Sequence, residues 1–333
     1  MLKDKYQRKI NYLRISLTDK CNLRCRYCIP PEGIDLLPHD EVLRNEEFVH
    51  MIEIFAGLGV RKIRFTGGEP LVRKGCIDII ERTRELFPEM DICLTTNGTL
   101  LEGVLDSLRD LGVRKINISL DTLDRERYRA ITGRDGLSAV LSAIERAREY
   151  RFFSIKINAV LFRETLEELG GLVEYASSRE LVLRFIERMP FLGEGEDQQF
   201  VPASKLEEEL SRIGELRRDV KTDTSVALMY ELVTPGGRVT RIGIIPPMTH
   251  KFCSQCNRLR LTCDGRLKTC LYSQNEYDLK KPYRQDMGDD SIRKIILDAV
   301  DQKPREHRIN CVEYGSQGCA SLLSIRSMSK IGG

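Results

Sequence analysis

Short runs of β-branched and apolar residues recur along the chain, each followed by a stretch whose apolar positions repeat at helical spacing. The runs Tyr12–Leu17, Lys62–Thr66, Ile92–Thr95, Lys115–Leu120, Ser154–Leu161 and Val182–Ile186 read as strands. Amphipathic helices are predicted near Glu46–Leu58, Ile77–Leu86 and Leu137–Arg151. The pentapeptide Gly59-Val60-Arg61-Lys62-Ile63 returns unchanged as Gly112-Val113-Arg114-Lys115-Ile116, as expected where βα units recur in one sheet. Six or so such units suit either a partly closed parallel barrel or a doubly wound sheet, and periodicity does not choose between them. Both place ligands at the C-terminal ends of the strands.

From about Thr222 the rhythm becomes antiparallel. Leu228–Leu232 and Val239–Ile245 flank a turn at Pro235–Gly237, and Arg258–Thr262 and Arg266–Leu271 flank Asp264-Gly265. This predicts a smaller β-rich unit beginning after Arg217–Lys221, with a late surface helix over Ser291–Ala299. The division expected is therefore 1–221 and 222–333.

With 333 residues, 41% of them hydrophobic, the chain can bury a large core, and no run of eighteen apolar residues is present to span a bilayer. The polar N-terminus, Met1-Leu2-Lys3-Asp4-Lys5, lacks a secretory pattern, so cytoplasmic residence is expected. A net charge of only +3 argues against non-specific nucleic-acid binding, so any anion site must be local.

Seven of the eleven cysteines form two groups, Cys21/Cys25/Cys28 and Cys253/Cys256/Cys263/Cys270, which favours metal ligation over disulfides. Three closely spaced thiolates after the first strand hold three irons of a cubane cluster and leave the fourth open; a zinc site is the alternative, but it lacks a nearby fourth ligand. In the second group, a two-residue turn at Asp264-Gly265 would set Cys270 opposite Leu259, near Cys256, and Cys263 opposite Arg266. Cys263 and Cys270 would then lie roughly 13 Å apart along the strand. Cys253, Cys256 and Cys270 are the expected ligands, with Cys263 as the uncertain fourth, and a zinc ribbon using all four is the alternative. Cys76, Cys93, Cys311 and Cys319 read as reduced structural thiols, and the four histidines share no ligand spacing.

Four strand ends carry glycine-rich or polar loops: the cysteine loop, Thr66-Gly67-Gly68-Glu69-Pro70, Thr95-Thr96-Asn97-Gly98 and Ser119-Leu120-Asp121. Capping and turn formation explain any one of them, though less easily all four. Cations stand where a core is expected, Arg14, Arg64, Lys156 and Arg184 in mid-strand, with Arg258 and Arg260 at i,i+2 spacing. Such charges imply a polyanionic ligand, or else ion pairs with Glu53, Glu69 or Glu187. No P-loop or dinucleotide fingerprint is present.

The Cys21-x3-Cys25-x2-Cys28 spacing with Tyr27 before the last cysteine, followed by Gly67-Gly68, resembles the radical S-adenosylmethionine superfamily. Phe252-Cys253-Ser254-Gln255-Cys256-Asn257-Arg258-Leu259-Arg260-Leu261, with Cys270 and a terminal Gly332-Gly333, is similar to the GTP 3′,8-cyclase family of molybdenum-cofactor biosynthesis. That resemblance implies an incomplete (βα)6 barrel with a C-terminal β-rich domain, two [4Fe-4S] clusters and S-adenosylmethionine as cofactors, and GTP as substrate. It implies lyase chemistry in which an adenosyl radical takes hydrogen from the ribose C3′ and the C3′ radical attacks guanine C8.

Carried over position by position, Arg14, Arg64, Thr95, Lys156, Arg258, Leu259 and Arg260 match GTP-binding positions, and Tyr27, Gly68, Ser119 and Met189 match S-adenosylmethionine contacts. Gly332 and Gly333 match a tail that reaches into the pocket. Implied partners are an electron donor and the next enzyme, cyclic pyranopterin monophosphate synthase; a homodimer is left open. Two rival readings are a radical enzyme acting on a peptide or other small molecule, and a non-enzymatic iron–sulfur carrier or zinc-dependent nucleic-acid module.

Overall fold

A computed structural model describes residues 1–30, 33–189, 200–220, 226–307, 326 and 328–332. Gly333, Cys311, Cys319 and the 221/222 boundary lie outside the described residues. Six strands alternate with helices: β1 (Tyr12–Ser16), α1 (Asn45–Gly57), β2 (Lys62–Thr66), α2 (Cys76–Leu86), β3 (Asp91–Thr96), α3 (Leu105–Asp110) and β4 (Lys115–Ser119) open the chain. They are followed by α4 (Arg125–Thr132), α5 (Leu137–Glu149), β5 (Ser154–Leu161), α6 (Arg163–Glu167), α7 (Leu169–Ser177) and β6 (Val182–Glu187). β1 to β6 lie side by side in chain order, each parallel to the next. A doubly wound sheet reverses its order partway, so the barrel-like alternative is the one adopted. The two identical pentapeptides serve the same turn: Val60 N–H donates to Phe55 O (3.0 Å) and Val113 N–H to Leu108 O (2.8 Å), each turning a helix into a strand.

The remaining elements are α8 (Ala203–Ile213), β7 (Glu215–Arg218), β8 (Leu228–Val233), β9 (Val239–Ile245), β10 (Arg258–Leu261), β11 (Arg266–Lys268), β12 (Tyr277–Asp278), α9 (Lys280–Arg284), α10 (Asp289–Asp301) and α11 (Met328–Ile331). Both antiparallel pairs form where expected. Their strands do not make a sheet of their own. β9 runs parallel to β6 and β10 parallel to β1, so both edges of the six-stranded array are extended into one sheet. β7, where the sequence predicts no strand, pairs antiparallel with β8.

The β10/β11 register corrects the expected turn. Arg260 pairs with Lys268 and Leu261 with Leu267, and the chain reverses through three residues, Cys263, Asp264 and Gly265. Gly265 takes φ 76° and donates its N–H to Thr262 O (3.0 Å), while Thr262 Oγ1 donates to Asp264 Oδ1 (2.6 Å). A glycine in the left-handed region adds the third loop residue. Extending this register sets Cys270 beside Arg258 and not Leu259.

Each strand alternates. Leu13, Ile15, Ile63, Phe65, Ile116, Ile118, Leu183, Phe185, Leu259 and Leu261 are buried in one core with the apolar stripes of the helices, among them Phe48, Phe55, Ile80, Ile144 and Val173. Burying each such side chain contributes about 1.5–3 kcal/mol. The intervening positions, facing away from the helices, are polar. Arg260, Arg14 and Arg64 are register partners on three adjacent strands and therefore share that second face. Arg184 on β6 responds electrostatically to Arg64 on β2 and Tyr12 on β1. On a flat sheet those strands would lie roughly 19–24 Å apart, well beyond the screening distance. The sheet therefore curls, with its polar face concave.

Candidate active site

The loop after β1 carries Cys21, Cys25 and Cys28, all partly exposed. Cys28 N–H donates to Cys25 O (2.9 Å), and Arg24 and Arg26 N–H donate to Thr132 and Ile131 O, tying the loop to α4. The Cys25 thiol is pushed well up by burial, then by Asp121, Cys28 and Cys21. The three sulfurs are thus near enough to oppose one another's ionisation, and iron–sulfur ligation would relieve that conflict.

Glycines brace the loop from behind. Gly68 N–H donates to Thr18 O (2.7 Å) and Glu69 N–H to Lys20 O (2.9 Å). A Cβ on Gly68 would strike the Lys20 carbonyl and lie 2.8 Å from Asp19 O. The sequence suggested that Gly68 lets a ligand approach; the structure supplies a further reason, close backbone packing against the cysteine loop.

Two buried carboxyls flank this region: Glu69, which the sequence offered as an ion-pair partner for the mid-strand cations, and Asp121. Glu69 accepts from Asn97 N–H (2.7 Å), Leu71 N–H (3.1 Å) and Thr96 Oγ1 (2.8 Å), yet burial pushes it up to about 7. Asp121 accepts from Tyr27 Oη (2.9 Å) and Val160 N–H (2.7 Å), and burial pushes it up to about 6. Tyr27 is therefore held by Asp121. Ser119 ends β4 on the concave face. Met189 packs with Cys270, Tyr272 and Met248, on the side of the second cysteine group.

In that second group Cys253 is raised by burial, with the His307 N–H opposing and Cys270 and Cys256 adding to it, so these three thiols stand together. Cys256 goes the other way: burial would raise it, but Lys303, Arg258 and Arg8 draw it down. Cys263 is fully buried in the main apolar core, and burial pushes its thiol up to about 12. It stands apart from the other three. Among the described residues, no three His, Cys, Asp or Glu side chains are gathered to hold a single metal ion.

Cations line the concave face between the two groups. Arg64 Nη1 donates to Leu94 O (2.6 Å) and Thr95 Oγ1 (3.3 Å), and Arg64 Nε donates to Tyr12 Oη (2.9 Å). Burial pulls Arg14 down to about 10, with Arg64 and Arg258 adding to it and Tyr12 opposing. Burial followed by Arg184, Arg64, Lys62 and Arg241 brings Lys156 down to about 8. Arg260 falls well below its ordinary value through burial, Arg14 and Arg258.

Among the described residues, Arg64, Lys156, Arg184, Arg258 and Arg260 do not form the carboxylate ion pairs that could have explained them. Glu187 accepts from Ala203, Met248 and Thr249 N–H, Glu69 is spent as above, and Glu53 pairs with His50 (3.8 Å). Arg184 Nε and Arg258 Nε and Nη2 are buried without hydrogen-bond partners among the described residues. A guanidinium stays charged in a protein, so this arrangement calls for an anion. Arg184, one of the mid-strand cations the sequence singled out, belongs to the same face. Lys62 and Tyr12 belong to it too although the sequence did not place them in the site; their i,i+2 relation to Arg64 and Arg14 was the available signal. Leu259, by contrast, turns its side chain into the helix-facing core, leaving only its backbone to the concave side.

The tail enters this space. Arg326 makes a bidentate pair with Asp264 of the hairpin turn (2.8 and 2.9 Å), and Arg260 Nη1 donates to Gly332 O.

The model for the Radical SAM superfamily matches residues 15–176 and that for Molybdenum Cofactor Synthesis C matches residues 181–309. The chain is similar to GTP 3′,8-cyclase of Moorella thermoacetica, with 40% identity over 336 residues covering 100% of both chains. It is equally similar to that of Pelotomaculum thermopropionicum, at 40% over 338 residues and again 100% of both. Among solved structures, Streptococcus suis SuiB bound to S-adenosylmethionine shares the fold, with a TM-score of 0.63 at 16% identity over 94% of this chain and 72% of that one. Full-length identity at this level joins the cysteine loop, the cationic concave face and the second cysteine group to one family: the chain belongs to the GTP 3′,8-cyclases of the radical S-adenosylmethionine superfamily.

Proposed function

We propose that the chain converts GTP to 3′,8-cyclo-7,8-dihydroguanosine 5′-triphosphate, the first step of molybdenum-cofactor biosynthesis, between two [4Fe-4S] clusters. The observation that carries this reading is the gathering of Arg14, Arg64, Lys156, Arg184, Arg258 and Arg260 around one concavity, with no carboxylate ion pair among the described residues for Arg64, Lys156, Arg184, Arg258 or Arg260. A triphosphate supplies the missing charge.

Cys21, Cys25 and Cys28 hold the first cluster, with S-adenosylmethionine beside Tyr27, Gly68, Ser119 and Met189. Cys253, Cys256 and Cys270 hold the second. Bound there, the clusters and S-adenosylmethionine would supply one-electron radical chemistry that no side chain provides. The chain's own residues orient and enclose. Arg64 positions Thr95, the Asp121 carboxylate fixes Tyr27, and the carbonyl of Gly332 takes a hydrogen bond of Arg260 that would otherwise point at ligand. Residues 1–221 form the radical unit and 222–333 the unit bearing the second cluster. An external one-electron donor is required, and cyclic pyranopterin monophosphate synthase receives the product in the cytoplasm. Among the described residues, no helix is long and apolar enough to cross a membrane.

The test is anaerobic reconstitution with GTP, S-adenosylmethionine and a chemical reductant, following 5′-deoxyadenosine and cyclised nucleotide together. Equal yields are expected. Deoxyadenosine without cyclised nucleotide would remove GTP as substrate.

A further inference from the structure

Residues 303–307 and the N-terminal arm both close over the second cysteine group, and each brings a buried cation. Lys303 is 2% exposed and makes no ion pair among the described residues. Among the described residues its Nζ donates only to carbonyls, those of Arg258 (3.0 Å) and Thr269. Arg258 follows Cys256 by two residues and Thr269 immediately precedes Cys270. One ammonium thus ties together the two segments that carry these thiols.

Arg8 closes the other flank. Its Nε pairs with Asp4 (2.5 Å), while Nη1 donates to Cys253 O (2.7 Å) and Arg305 O (3.0 Å) and Nη2 to Pro304 O (2.7 Å). Every one of the three cysteines therefore has a buried cation hydrogen-bonded to its own backbone or to that of a residue one or two positions away.

A buried ammonium held by neutral carbonyls keeps much of its desolvation cost, because carbonyl dipoles replace water without neutralising charge. The cost falls if an anion is bound nearby. A cubane core held by three thiolates carries net negative charge, which grows on reduction, and such charge together with the surrounding polar groups sets the reduction potential. We propose that Lys303, supported by Arg8, is the charge-compensating positioning residue of the iron–sulfur cluster held by Cys253, Cys256 and Cys270, and that it raises that cluster's reduction potential. The inference rests on the two-cluster reading.

The experiment counts iron and follows an EPR-monitored redox titration in the full chain. The parent is Cys25→Ala, so that only the second group is loaded, and Lys303→Met and Lys303→Arg are made in it. Lys303→Met should either lose more than half of the parent's iron or titrate at a more negative potential, and Lys303→Arg should restore both. Full iron at the parent's potential in Lys303→Met overturns the proposal. So does failure of Lys303→Arg to differ from Lys303→Met, because shape and not charge would then be what matters. Should Lys303→Met fail to fold, Arg8→Gln keeps hydrogen-bonding capacity, removes the charge on the opposite flank and is read the same way. The two-cluster reading is checked separately in the wild-type chain, where four irons in place of about eight would remove it.

Discussion

Gly332 lies against Thr66: a Cβ on the glycine would collide with the threonine hydroxyl and come within 3.1 Å of Ser16 Cβ. The residue is buried at φ 85°, and its carbonyl accepts from Arg260. Alanine at that backbone angle is strained by about 1–2 kcal/mol before any collision is counted. Gly332→Ala should therefore displace the tail from the concave face while leaving the sheet intact. The expected result is at least tenfold less cyclised nucleotide with 5′-deoxyadenosine formation largely kept. An unchanged product rate would make the tail a passive terminus.

Gly68 and Lys20 stand in a similar relation at the first cysteine loop, but here the obstacle is backbone, which cannot swing aside as a side chain can. Gly68→Ala should push the loop bearing Cys21 outward. About four irons per chain should be lost on reconstitution and the other four kept. If Gly68→Ala holds all of them yet binds S-adenosylmethionine weakly, the glycine serves the ligand and not the loop.

Most strands were legible because two periodicities coincide in them. β2, β5 and β9 have the bounds their sequences predict, β1, β3, β4, β6, β8, β10 and β11 differ by one to three residues at one or both ends, and the short strands β7 and β12 are not among the predicted runs. Mid-strand cations looked anomalous only against the expectation of a strand apolar on both faces. Once the strands are seen to alternate, with Leu13 and Ile15 toward helices and Arg14 between them, the anomaly becomes the lining of a site. Two features were hidden. Pairing of β10 with β1 and of β9 with β6 joins segments far apart in sequence, and no local pattern records that. The hairpin turn was misjudged by one residue because Asp264-Gly265 is a familiar two-residue signal, whereas Thr262 and Asp264 close a three-residue loop through their side chains.

Despite that shift, the separation of Cys263 from Cys270 stands for a different reason: Cys263 is in the apolar core and Cys270 is packed beside Tyr272 and Met248. Cys263→Ser places a hydroxyl in that core and should lower stability by about 1–3 kcal/mol. Iron content should be unchanged. Cys270→Ser should instead lose about four irons with a smaller change in unfolding free energy of the iron-free chain. Iron loss in Cys263→Ser with the full complement in Cys270→Ser would exchange their roles.

Lys156 offers a test by pH. Burial and the neighbouring Arg184, Arg64, Lys62 and Arg241 depress it to about 8, so in the ligand-free chain it sheds its proton well before an unfolded lysine would. Its cost to folding is full below pH 8 and shrinks as pH rises from there toward the ordinary lysine value, because the unfolded state then binds more protons. A triphosphate reverses the field and restores the proton. Binding above pH 8 is therefore expected to take up a proton at Lys156, and GTP affinity should fall by up to tenfold per pH unit, on top of any change common to the variant below. The phosphate groups, with a second pKa near about 6, are already ionised there and do not account for such a fall. Calorimetric titration at pH 7.5 and 9.5 in two buffers of different ionisation enthalpy reads both the affinity and the proton uptake. Lys156→Met should bind GTP at least tenfold more weakly at pH 7.5 and lose the proton uptake, whereas guanosine should be affected much less in either protein. Equal pH dependence and equal proton uptake in the parent and in Lys156→Met would show that Lys156 is not the titrating group, whether the proton belongs to another side chain or to the guanine base.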